Sequence, residues 1–409
     1  MIKPAGISSL IAVAAAVAIA APAVARTHAV QPGPSKAGAP PPSAPVPVSP
    51  IADAGTPTPP VLANTTSYVL MDARTGAVIA EAAPNLQVAP ASLTKLMTAH
   101  IVYQALKSGS LTLNQTVPVS VAAWHAGGSR MFIDPTSVVT VDQLLHGLII
   151  TSGNDAAVAL AEQVAGTQAS FVQLMNKDAQ AMGLTNTVYT DVDGLPDPGL
   201  HTSALDVATL SRVILQDEPQ ILNISKLPSY TYDNITQASW NPVLAHDSTV
   251  DGLKTGLTDA SGHCIDATAL RGNMRLIAVV MGGPSWHAST AAIEALLDYG
   301  QKFFTDATIS TAGQQIDTLH SPALNTGMVE VGVANGITMT LPTNGVSKVT
   351  HQITYTADLI PGVTKGETLG TVSYTLDGKE LASSPVIALT AAPPASLLTK
   401  LKLKLSKYL

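Results

Sequence analysis

The sequence has few cysteines and few charged residues. Each of these features excludes some classes of function. Its 409 residues contain one cysteine, Cys264, and Lys, Arg, Asp and Glu together make up only 12% of the chain. A single cysteine excludes an intramolecular disulfide and any metal site built from several cysteines, so we expect Cys264 to be a small core residue. The formal net charge of −7 leaves no basic surface that would suggest a nucleic-acid partner.

The first 25 residues are typical of a secretory signal peptide. Lys3 supplies a positive charge, residues 7–21 are mostly apolar, and Ala23-Val24-Ala25 offers the small residues that a signal peptidase accepts. A retained transmembrane segment is the alternative, but the apolar stretch is short for a membrane span and ends at Pro22. We therefore predict cleavage after Ala25 and export.

The rest of the chain divides into segments of different composition. Residues 26–62 are rich in Pro, Ala and Ser, which predicts a disordered linker because such a segment buries too little apolar surface to offset its chain entropy. The pattern of residues 63–305 predicts an α+β domain. Its sheet should combine strands from the beginning and the end of this segment. The predicted elements there are a hairpin at 67–80, helices at 92–106, 141–150, 155–164, 170–182, 203–215 and 289–304, and strands at 250–255, 263–269 and 275–281.

Residues 306–392 consist of short alternating runs separated by turn residues, which predicts a small all-β domain, a β-sandwich. Its predicted strands lie at 328–333, 337–341, 349–355, 368–376 and 386–389.

The chain ends in a segment rich in leucine and lysine. At about 100° per residue, the leucines of residues 395–409 fall mainly on one helical face and Lys400, Lys404 and Lys407 fall opposite. The alternatives are a frayed tail and an alternating strand. We predict an amphipathic helix that lies in a membrane surface, because its basic face complements anionic lipid.

The first chemical motif is Ser92-Leu93-Thr94-Lys95 at the start of a predicted helix. Residues three apart share a helical face, so Lys95 can reach the Ser92 hydroxyl and act as its base. The lysine must be neutral to do so, and a nearby second cation would lower its pKa. Alone, the motif would indicate only a solvated surface pair.

Two further motifs supply groups of the same chemistry. Ser152-Gly153-Asn154 falls in a predicted turn between helices, where its hydroxyl could pass a proton and its amide could hold a substrate backbone. Lys254-Thr255-Gly256 falls on a predicted strand, where the lysine supplies the second cation and the glycine admits a ligand backbone. Separately these would be a helix cap and a strand end. Their order and spacing match the motif set of penicillin-recognising serine enzymes.

The surrounding sequence resembles the low-molecular-mass D-alanyl-D-alanine carboxypeptidases, which are penicillin-binding proteins of the peptidase S11 type. The similar stretches are residues 91–98, 141–157 and 250–256, and residues 369–370 and 374–379 are similar to the β-rich C-terminal domain of that family. The resemblance implies a β-lactamase/transpeptidase-like serine hydrolase domain of α+β class followed by a small all-β domain, without a cofactor. It also implies a periplasmic enzyme attached peripherally to the cytoplasmic membrane by its C-terminal helix.

The resemblance implies a role for each motif residue in acylation. Ser92 attacks the carbonyl of the penultimate D-alanine in peptidoglycan stem peptides, and Lys95 accepts its proton. The backbone N–H groups of Ser92 and Leu257 form the oxyanion hole. Penicillin and other β-lactams acylate the same serine.

The remaining motif residues serve the leaving group and the substrate. Ser152, with Lys254 nearby, delivers a proton to the departing D-alanine. Asn154 holds the substrate amide, Thr255 binds the terminal carboxylate, and Gly256 lets the ligand approach.

The sequence departs from the family at three positions. Ser289 and Trp240 stand where arginine is common, and Leu257 stands where a polar or aromatic side chain is common. The first two departures imply that carboxylate recognition is weaker or arranged differently. Leu257 bears on substrate preference more than on the type of reaction.

Two other functions compete with a carboxypeptidase. A β-lactamase would need a deacylating base such as a loop glutamate, and residues 190–201 offer only Asp191, Asp193 and Asp197. A non-catalytic peptidoglycan-binding protein would not need the intact motif residues. No metal-binding spacing occurs in the sequence, and we expect His146, His201 and His263 to be structural.

Overall fold

The computed structural model of the chain describes residues 48–53 and 55–405. The predicted signal peptide, most of the predicted linker and the last four residues of the predicted C-terminal helix lie outside these residues.

All six predicted helices of the first domain are present, and two short helices, at residues 121–124 and 222–225, were not predicted. The α-helices are α1 (Lys95–Ser108), α2 (Val121–Trp124), α3 (Val141–Ile150), α4 (Asn154–Ala165), α5 (Gln168–Ala181), α6 (Ala204–Asp217), α7 (Leu222–Ser225), α8 (Trp286–Phe303) and α9 (Leu397–Leu405). Among the described residues, no helix has the length and apolar character needed to cross a membrane.

The strands of the first domain are β1 (Ser67–Asp72), β2 (Val78–Ala82), β3 (Thr116–Val117), β4 (Val139–Thr140), β5 (Ser229–Tyr232), β6 (Ile235–Ala238), β7 (Val250–Thr258), β8 (Gly262–Arg271) and β9 (Met274–Gly283). The second domain contains β10 (Phe304–Ser310), β11 (Gln315–His320), β12 (Met328–Val333), β13 (Ile337–Pro342), β14 (Thr350–Tyr355), β15 (Thr368–Leu376) and β16 (Lys379–Ala388).

A five-stranded antiparallel sheet organises the first domain in the order β2-β1-β9-β8-β7. It joins strands from both ends of the domain, as predicted, and the fold class is α+β. Alternate residues of β1 enter different cores, because successive side chains of a strand point to opposite faces. Val69 and Met71 pack with the helical region, whereas Tyr68 and Leu70 pack against α8.

The second domain is all β, as predicted. One sheet has the order β11-β12-β16-β15-β14, and β10 pairs with β13 in a second. Residues of both sheets, including Val331, Leu341 and Val372, share one hydrophobic core. Strands β10 and β11 were not predicted, and the predicted boundary at residue 306 falls inside β10, which begins directly after α8.

Residues 48–53 and 55–62 are here called the N-terminal strap. They were predicted to be disordered, but in the structure they contact both folded domains. The Val48 backbone forms an isolated bridge with Glu81, and the Tyr299 hydroxyl donates a 2.8 Å hydrogen bond to the carbonyl of Pro57. Lys348 of the second domain lies 2.6 Å from the carboxylate of Asp53. The composition of the segment did not predict this order. The strap contributes only backbone groups and a few apolar side chains, which bind to surfaces that the folded domains already present.

Helix α9 covers the central part of the predicted amphipathic segment. Leu397, Leu398 and Leu401 are 84%, 75% and 58% exposed. Exposed leucines on one helix need a partner or a lipid surface to be covered.

Candidate active site

The first motif lies where a short 3-10 turn passes into helix α1. Ser92 belongs to the turn Ala91–Thr94, and Lys95 begins α1. The Lys95 Nζ atom donates hydrogen bonds to Ser92 Oγ, at 3.0 Å, and to the carbonyl oxygen of Asp193, at 2.6 Å. Ala91 has a φ of +48°, a conformation that costs a residue other than glycine about 1–2 kcal/mol. The fold therefore holds the serine in a strained turn with the lysine beside it.

Lys95 is completely buried, and this burial decides its protonation. Loss of hydration lowers the pKa of Lys95 to about 8, against the opposing attraction of Asp193, Asp191 and Asp155. A lysine with such a pKa is partly neutral near neutral pH, so it can accept a proton from the adjacent hydroxyl.

The second motif forms the turn between α3 and α4. Helix α3 begins at a capping box in which Thr140 and Gln143 satisfy each other's backbone N–H groups, and it ends at Ile150. Ser152 follows with a φ of +57°, another left-handed residue other than glycine. Its hydroxyl accepts a 2.9 Å hydrogen bond from Lys254 Nζ.

The third motif lies on β7, at the edge of the five-stranded sheet. Lys254 is buried, and its Nζ atom also donates to the carbonyl of Thr255 at 2.8 Å. Burial, followed by the positive charge of Lys95, holds the pKa of Lys254 well below its ordinary value. The structure therefore brings the two lysines and the two serines of the three motifs into one site.

Gly256 allows β7 to approach the nucleophile turn. A Cβ atom at this position would lie 3.0 Å from the carbonyl oxygen of Pro90 and 3.1 Å from the backbone nitrogen of Ser92. Any side chain at residue 256 would push the strand away from Ser92.

Asn154 lies beside the site rather than in its wall. Its Nδ2 atom donates a 2.6 Å hydrogen bond to the carbonyl oxygen of Gly127. Its backbone N–H donates to the carbonyl oxygen of Ser129. The Oδ1 atom is buried without a hydrogen-bond partner. Asn154 thus fixes the loop that precedes Arg130.

Asp155 is a buried acid beside the site that the sequence analysis did not single out. Its buried carboxylate accepts hydrogen bonds from the backbone N–H groups of Met131, Phe132 and Ile133. These bonds hold the loop that carries Ser129 into the cleft. An acidic residue in the first turn of α4 was the available signal, because such residues accept from free backbone N–H groups.

A second loop supports Lys95. Both Asp191 and Asp193 use carboxylate oxygens to accept hydrogen bonds from backbone N–H groups of this loop, at Asp193, Gly194 and Leu195. Burial raises the pKa of each carboxyl group. Gly194 packs so tightly on the nucleophile turn that a Cβ atom there would lie 1.8 Å from the carbonyl oxygen of Ala91.

These elements enclose a small open cleft of about 110 Å³. Its walls are formed by Ser92, Ser129, Ser152, Trp240, Thr255, Gly256, Leu257 and Trp286. Five of the eight predicted site residues thus line the cleft, and Lys95 and Lys254 lie buried behind Ser92 and Ser152. Ser129 and Trp286 have no local sequence signal and were not predicted.

The positions that depart from the family have different structural roles. Ser289 is buried, and its hydroxyl donates a 3.0 Å hydrogen bond to the carbonyl of His263. Trp240 is 47% exposed at the cleft. In the part of the chain that the structure describes, no group of His, Cys, Asp and Glu side chains forms a metal site.

The same architecture occurs in known proteins. The family model described as D-alanyl-D-alanine carboxypeptidase, of the S11 peptidases, matches residues 54–285, and the model for the C-terminal domain of penicillin-binding protein 5 matches residues 304–393. D-alanyl-D-alanine carboxypeptidase DacA of Escherichia coli is 34% identical over 343 residues, which cover 82% of this chain and 85% of that protein.

Two solved structures extend the comparison. Penicillin binding protein 5 from Haemophilus influenzae superposes with a TM-score of 0.74 at 35% identity, covering 82% of this chain and 99% of that one. Penicillin-binding protein D2 from Listeria monocytogenes, in its ampicillin-bound form, superposes with a TM-score of 0.55 at 26% identity, covering 59% of this chain and 99% of that one.

The first-domain match, the second-domain match and the convergence of the three motifs agree with each other. The chain belongs to the D-alanyl-D-alanine carboxypeptidase family of S11 serine peptidases.

Proposed function

We propose that this enzyme removes the terminal D-alanine from peptidoglycan pentapeptides through an acyl-enzyme on Ser92, and that it thereby remodels the cell wall. The observation that carries the proposal is the pairing of two buried lysines with two serine hydroxyls, Lys95 with Ser92 and Lys254 with Ser152.

Acylation begins at the Ser92–Lys95 pair. Neutral Lys95 takes the hydroxyl proton as Ser92 Oγ attacks the carbonyl carbon of the penultimate D-alanine. The backbone N–H groups of Ser92 and Leu257 stabilise the negative charge that develops on the carbonyl oxygen. The close approach of β7 at Gly256 supports this role, because it brings the two N–H groups to the same cleft.

The second pair serves the leaving group. Ser152 donates its hydroxyl proton to the nitrogen of the departing D-alanine, and Lys254, hydrogen-bonded to Ser152, replaces that proton. Thr255 binds the terminal carboxylate from the wall of the cleft. Asn154 holds the substrate amide through its Oδ1 atom, the one without a hydrogen-bond partner, while its Nδ2 atom holds the neighbouring loop at Gly127.

Water then attacks the acyl-enzyme and releases the shortened peptide. β-Lactams acylate Ser92 in the same way, a proposal that the ampicillin-bound relative supports. We expect them to remain attached for long periods, because the nearby carboxylates of Asp191 and Asp193 accept hydrogen bonds within their own loop. This arrangement argues against efficient β-lactamase activity.

We place the enzyme outside the cytoplasm, in the periplasm, on the basis of its N-terminal sequence. The basic, leucine-rich C-terminal segment, residues 395–409, attaches it peripherally to the cytoplasmic membrane. The exposed leucines of α9 support this attachment.

The test uses the mature chain and a pentapeptide ending in D-Ala-D-Ala. We expect release of one D-alanine per peptide, and a mass increase on Ser92 after penicillin treatment. Ser92→Ala should abolish both. Equal activity in wild type and Ser92→Ala, or no adduct on Ser92, would overturn the proposal. The second outcome would favour a non-catalytic wall-binding protein.

A further inference from the structure

The two domains meet at a pair of threonine hydroxyl groups. Thr75 lies in the turn between β1 and β2 of the first domain, and Thr340 lies on β13 of the second. Their Oγ1 atoms are 2.6 Å apart, although 265 positions separate the two residues in the chain. Hydroxyl oxygens at this distance share a hydrogen in a hydrogen bond. The contact therefore joins the two domains through one hydrogen.

Each threonine also lies next to a carboxyl group of its own domain. Thr75 Oγ1 is 2.9 Å from Asp72 Oδ1, and Thr340 Oγ1 is 2.9 Å from Asp306 Oδ1. Asp306 is the direct partner of Thr340 in the register of β10 and β13. Four oxygen atoms thus form an unbroken row across the domain junction, in the order Asp72, Thr75, Thr340 and Asp306.

The row has three contacts, but its two hydroxyl groups supply only two hydrogens. An ionised carboxylate accepts hydrogen bonds and donates none. If Asp72 and Asp306 were both ionised, one of the three contacts would have two oxygen atoms facing each other without a hydrogen between them. A contact of this kind is unfavourable where water is excluded. A third hydrogen, carried by one of the two carboxyl groups, completes the row.

Asp306 is the carboxyl group better suited to carry this hydrogen. Asp72 Oδ1 also accepts a 2.7 Å hydrogen bond from the backbone N–H of Thr75, which favours its ionised form. In the described part of the chain, Asp306 Oδ1 has Thr340 as its one hydrogen-bond partner. Burial, followed by the charge of Asp72, raises the pKa of Asp306 above 3.8, against the opposing effects of Thr340 and Arg74.

The charged side chains around the row leave both carboxyl groups without a cation. Arg74 of the same turn is exposed, and Arg212 of α6 donates to the carbonyl oxygen of Arg74 at 3.4 Å. Lys348 of the second domain pairs with Asp53 of the strap. The Oδ2 atoms of both carboxyl groups in the row are buried without a partner among the described residues. Two adjacent negative charges would therefore be uncompensated here.

We infer that a single proton, held by Asp306, latches the second domain onto the first. In the latched state the Asp306 hydroxyl donates to Thr340 Oγ1, the Thr340 hydroxyl donates to Thr75 Oγ1, and the Thr75 hydroxyl donates to Asp72 Oδ1. When Asp306 loses its proton to water, the Thr340 hydroxyl turns back to the new carboxylate, and the contact between the threonines loses its hydrogen. The junction then opens toward a cavity of about 280 Å³ that both threonines line together with Ile51.

The latch is closed at acidic pH. The folded-state pKa of Asp306 is above its ordinary value of 3.8. The contribution of this group to the junction is therefore fully present below pH 3.8 and is lost as the pH rises through the raised pKa. The relative position of the two domains thus responds to the pH around the enzyme.

The first experiment measures the titration of Asp306 by ¹³C NMR of the mature chain labelled at the side-chain carboxyl of aspartate. The Asp306 signal is the one missing from Asp306→Asn. In the latch, Thr75 and Thr340 accept the hydrogen bonds that keep Asp306 protonated, so Thr75→Val and Thr340→Val should both lower its pKa. Thr338→Val is the matched control, because Thr338 lies on the same strand but contacts Thr308 instead of the row.

A junction without the third hydrogen gives different signs. Thr340 would then donate to an ionised Asp306, so Thr340→Val would raise the pKa of Asp306, and Thr75→Val would raise it or leave it unchanged. Any of these results would overturn the latch. Thr75→Ser and Thr340→Ser keep the hydroxyl groups and should titrate as wild type does. A serine variant that titrates like the valine variant would also overturn the inference.

The second experiment measures the junction itself with spin labels on Lys107→Cys of the first domain and Lys365→Cys of the second. Both lysines are exposed, and the natural Cys264 is buried. Pulsed electron paramagnetic resonance should give a wider distribution of label distances one pH unit above the Asp306 midpoint than one unit below it. In Asp306→Asn the amide donates to Thr340 at every pH, so the distribution should stay narrow.

Two results of the second experiment would overturn the inference. One is an equal width in wild type at both pH values, and the other is the same widening in Asp306→Asn. This experiment decides the question even if the valine variants do not fold, because it uses neither of them. Both measurements are independent of the reaction at Ser92, so the latch can fail while the proposed function stands, and the reverse.

Discussion

Lys254 Nζ lies 2.9 Å from Ser152 Oγ, although 102 positions separate the two residues in the chain. The contact exists because β7, at the sheet edge, faces the turn between α3 and α4. It brings a second buried lysine close to Lys95, and the charge of Lys95 adds to burial in lowering the pKa of Lys254. The acylation that we propose at this site would therefore depend on how protons are distributed between the two lysines.

The first prediction concerns the pH dependence of acylation. Burial lowers the pKa of Lys95 to about 8. Because only the neutral amine accepts the Ser92 proton, the second-order rate constant for acylation by a fluorescent penicillin should rise about tenfold per pH unit below 8 and level off above it. Lys95→Arg should be inactive at every pH, since arginine stays charged. A rate constant equal at pH 6 and pH 9 would contradict this role.

The second prediction concerns the loop that carries Ser129. Asp155→Asn replaces one acceptor oxygen by an NH₂ group that faces backbone donors, so we expect a loss of about 2 kcal/mol in the free energy of unfolding. Acylation should slow by at least about tenfold because the loop moves. Urea unfolding and penicillin acylation measure the two effects.

The control for Asp155 is Asp134→Asn in the same loop region. The Asp134 carboxylate caps an exposed turn by accepting from Thr136 and Ser137, which an asparagine oxygen also does. The urea unfolding curve of this variant should coincide with that of wild type. Equal effects of the two substitutions would show that Asp155 has no special role in the site.

Local sequence patterns predicted the helices and the short catalytic-type motifs, because both depend on residues that are close together in the chain. The periodicity of residues 141–150 predicted α3 with both ends correct. The Ser-x-x-Lys spacing predicted the Ser92–Lys95 contact, whereas the Ser152–Lys254 contact was implied by the family resemblance. Long-range packing decided the rest. Ser129 reaches the cleft only because Asp155 holds its loop, and Trp286 reaches it because β9 ends there. The acidic residue in the first turn of α4 is the one local signal for the first relationship, and the second has no signal in the nearby sequence.

The third prediction concerns the N-terminal strap. The strap contacts both domains: Ile51 packs on the core beneath α8, and the carbonyl of Pro50 accepts a 2.8 Å hydrogen bond from Lys379 of the second domain. A chain that starts at residue 63 should therefore have a Tm at least about 3 °C below that of a chain that starts at residue 48. Calorimetry of the two chains tests this, and identical melting curves would mean that the strap adds no stability.

The fourth prediction concerns membrane attachment. Removal of residues 395–409 takes away the exposed leucines of α9 together with the basic face of the segment. The full chain should sediment with vesicles that contain anionic lipid and less with neutral vesicles, because the lysines bind anionic headgroups. The truncated chain should stay in the supernatant with both. Equal sedimentation of the two chains would exclude this segment as the attachment.

The fifth prediction concerns Asp266, a buried acid on β8 that lies opposite Lys254 in the strand register. Burial raises the pKa of Asp266 from 3.8 to about 7, and the Ser211 hydroxyl donates to one of its oxygens while the other has no partner. At pH values between these two pKa values, the Asp266 carboxyl group is therefore protonated in the folded state and ionised in the unfolded state. Stability from this group is fully present below about pH 4 and is lost as the pH rises to about 7.

Asp266→Asn removes this titration but keeps an acceptor for Ser211. Between pH 4 and pH 8, this group should cost wild type on the order of 3 kcal/mol in the free energy of unfolding. The variant should not lose this amount. Asp259→Asn, an exposed carboxylate in the turn between β7 and β8, is the control and should show no such change. Urea unfolding at the two pH values measures the difference. If the Asp266 variant and wild type respond equally to pH, the carboxylate is ionised in the folded protein, and an unrecognised partner must then compensate its charge beneath the catalytic strand.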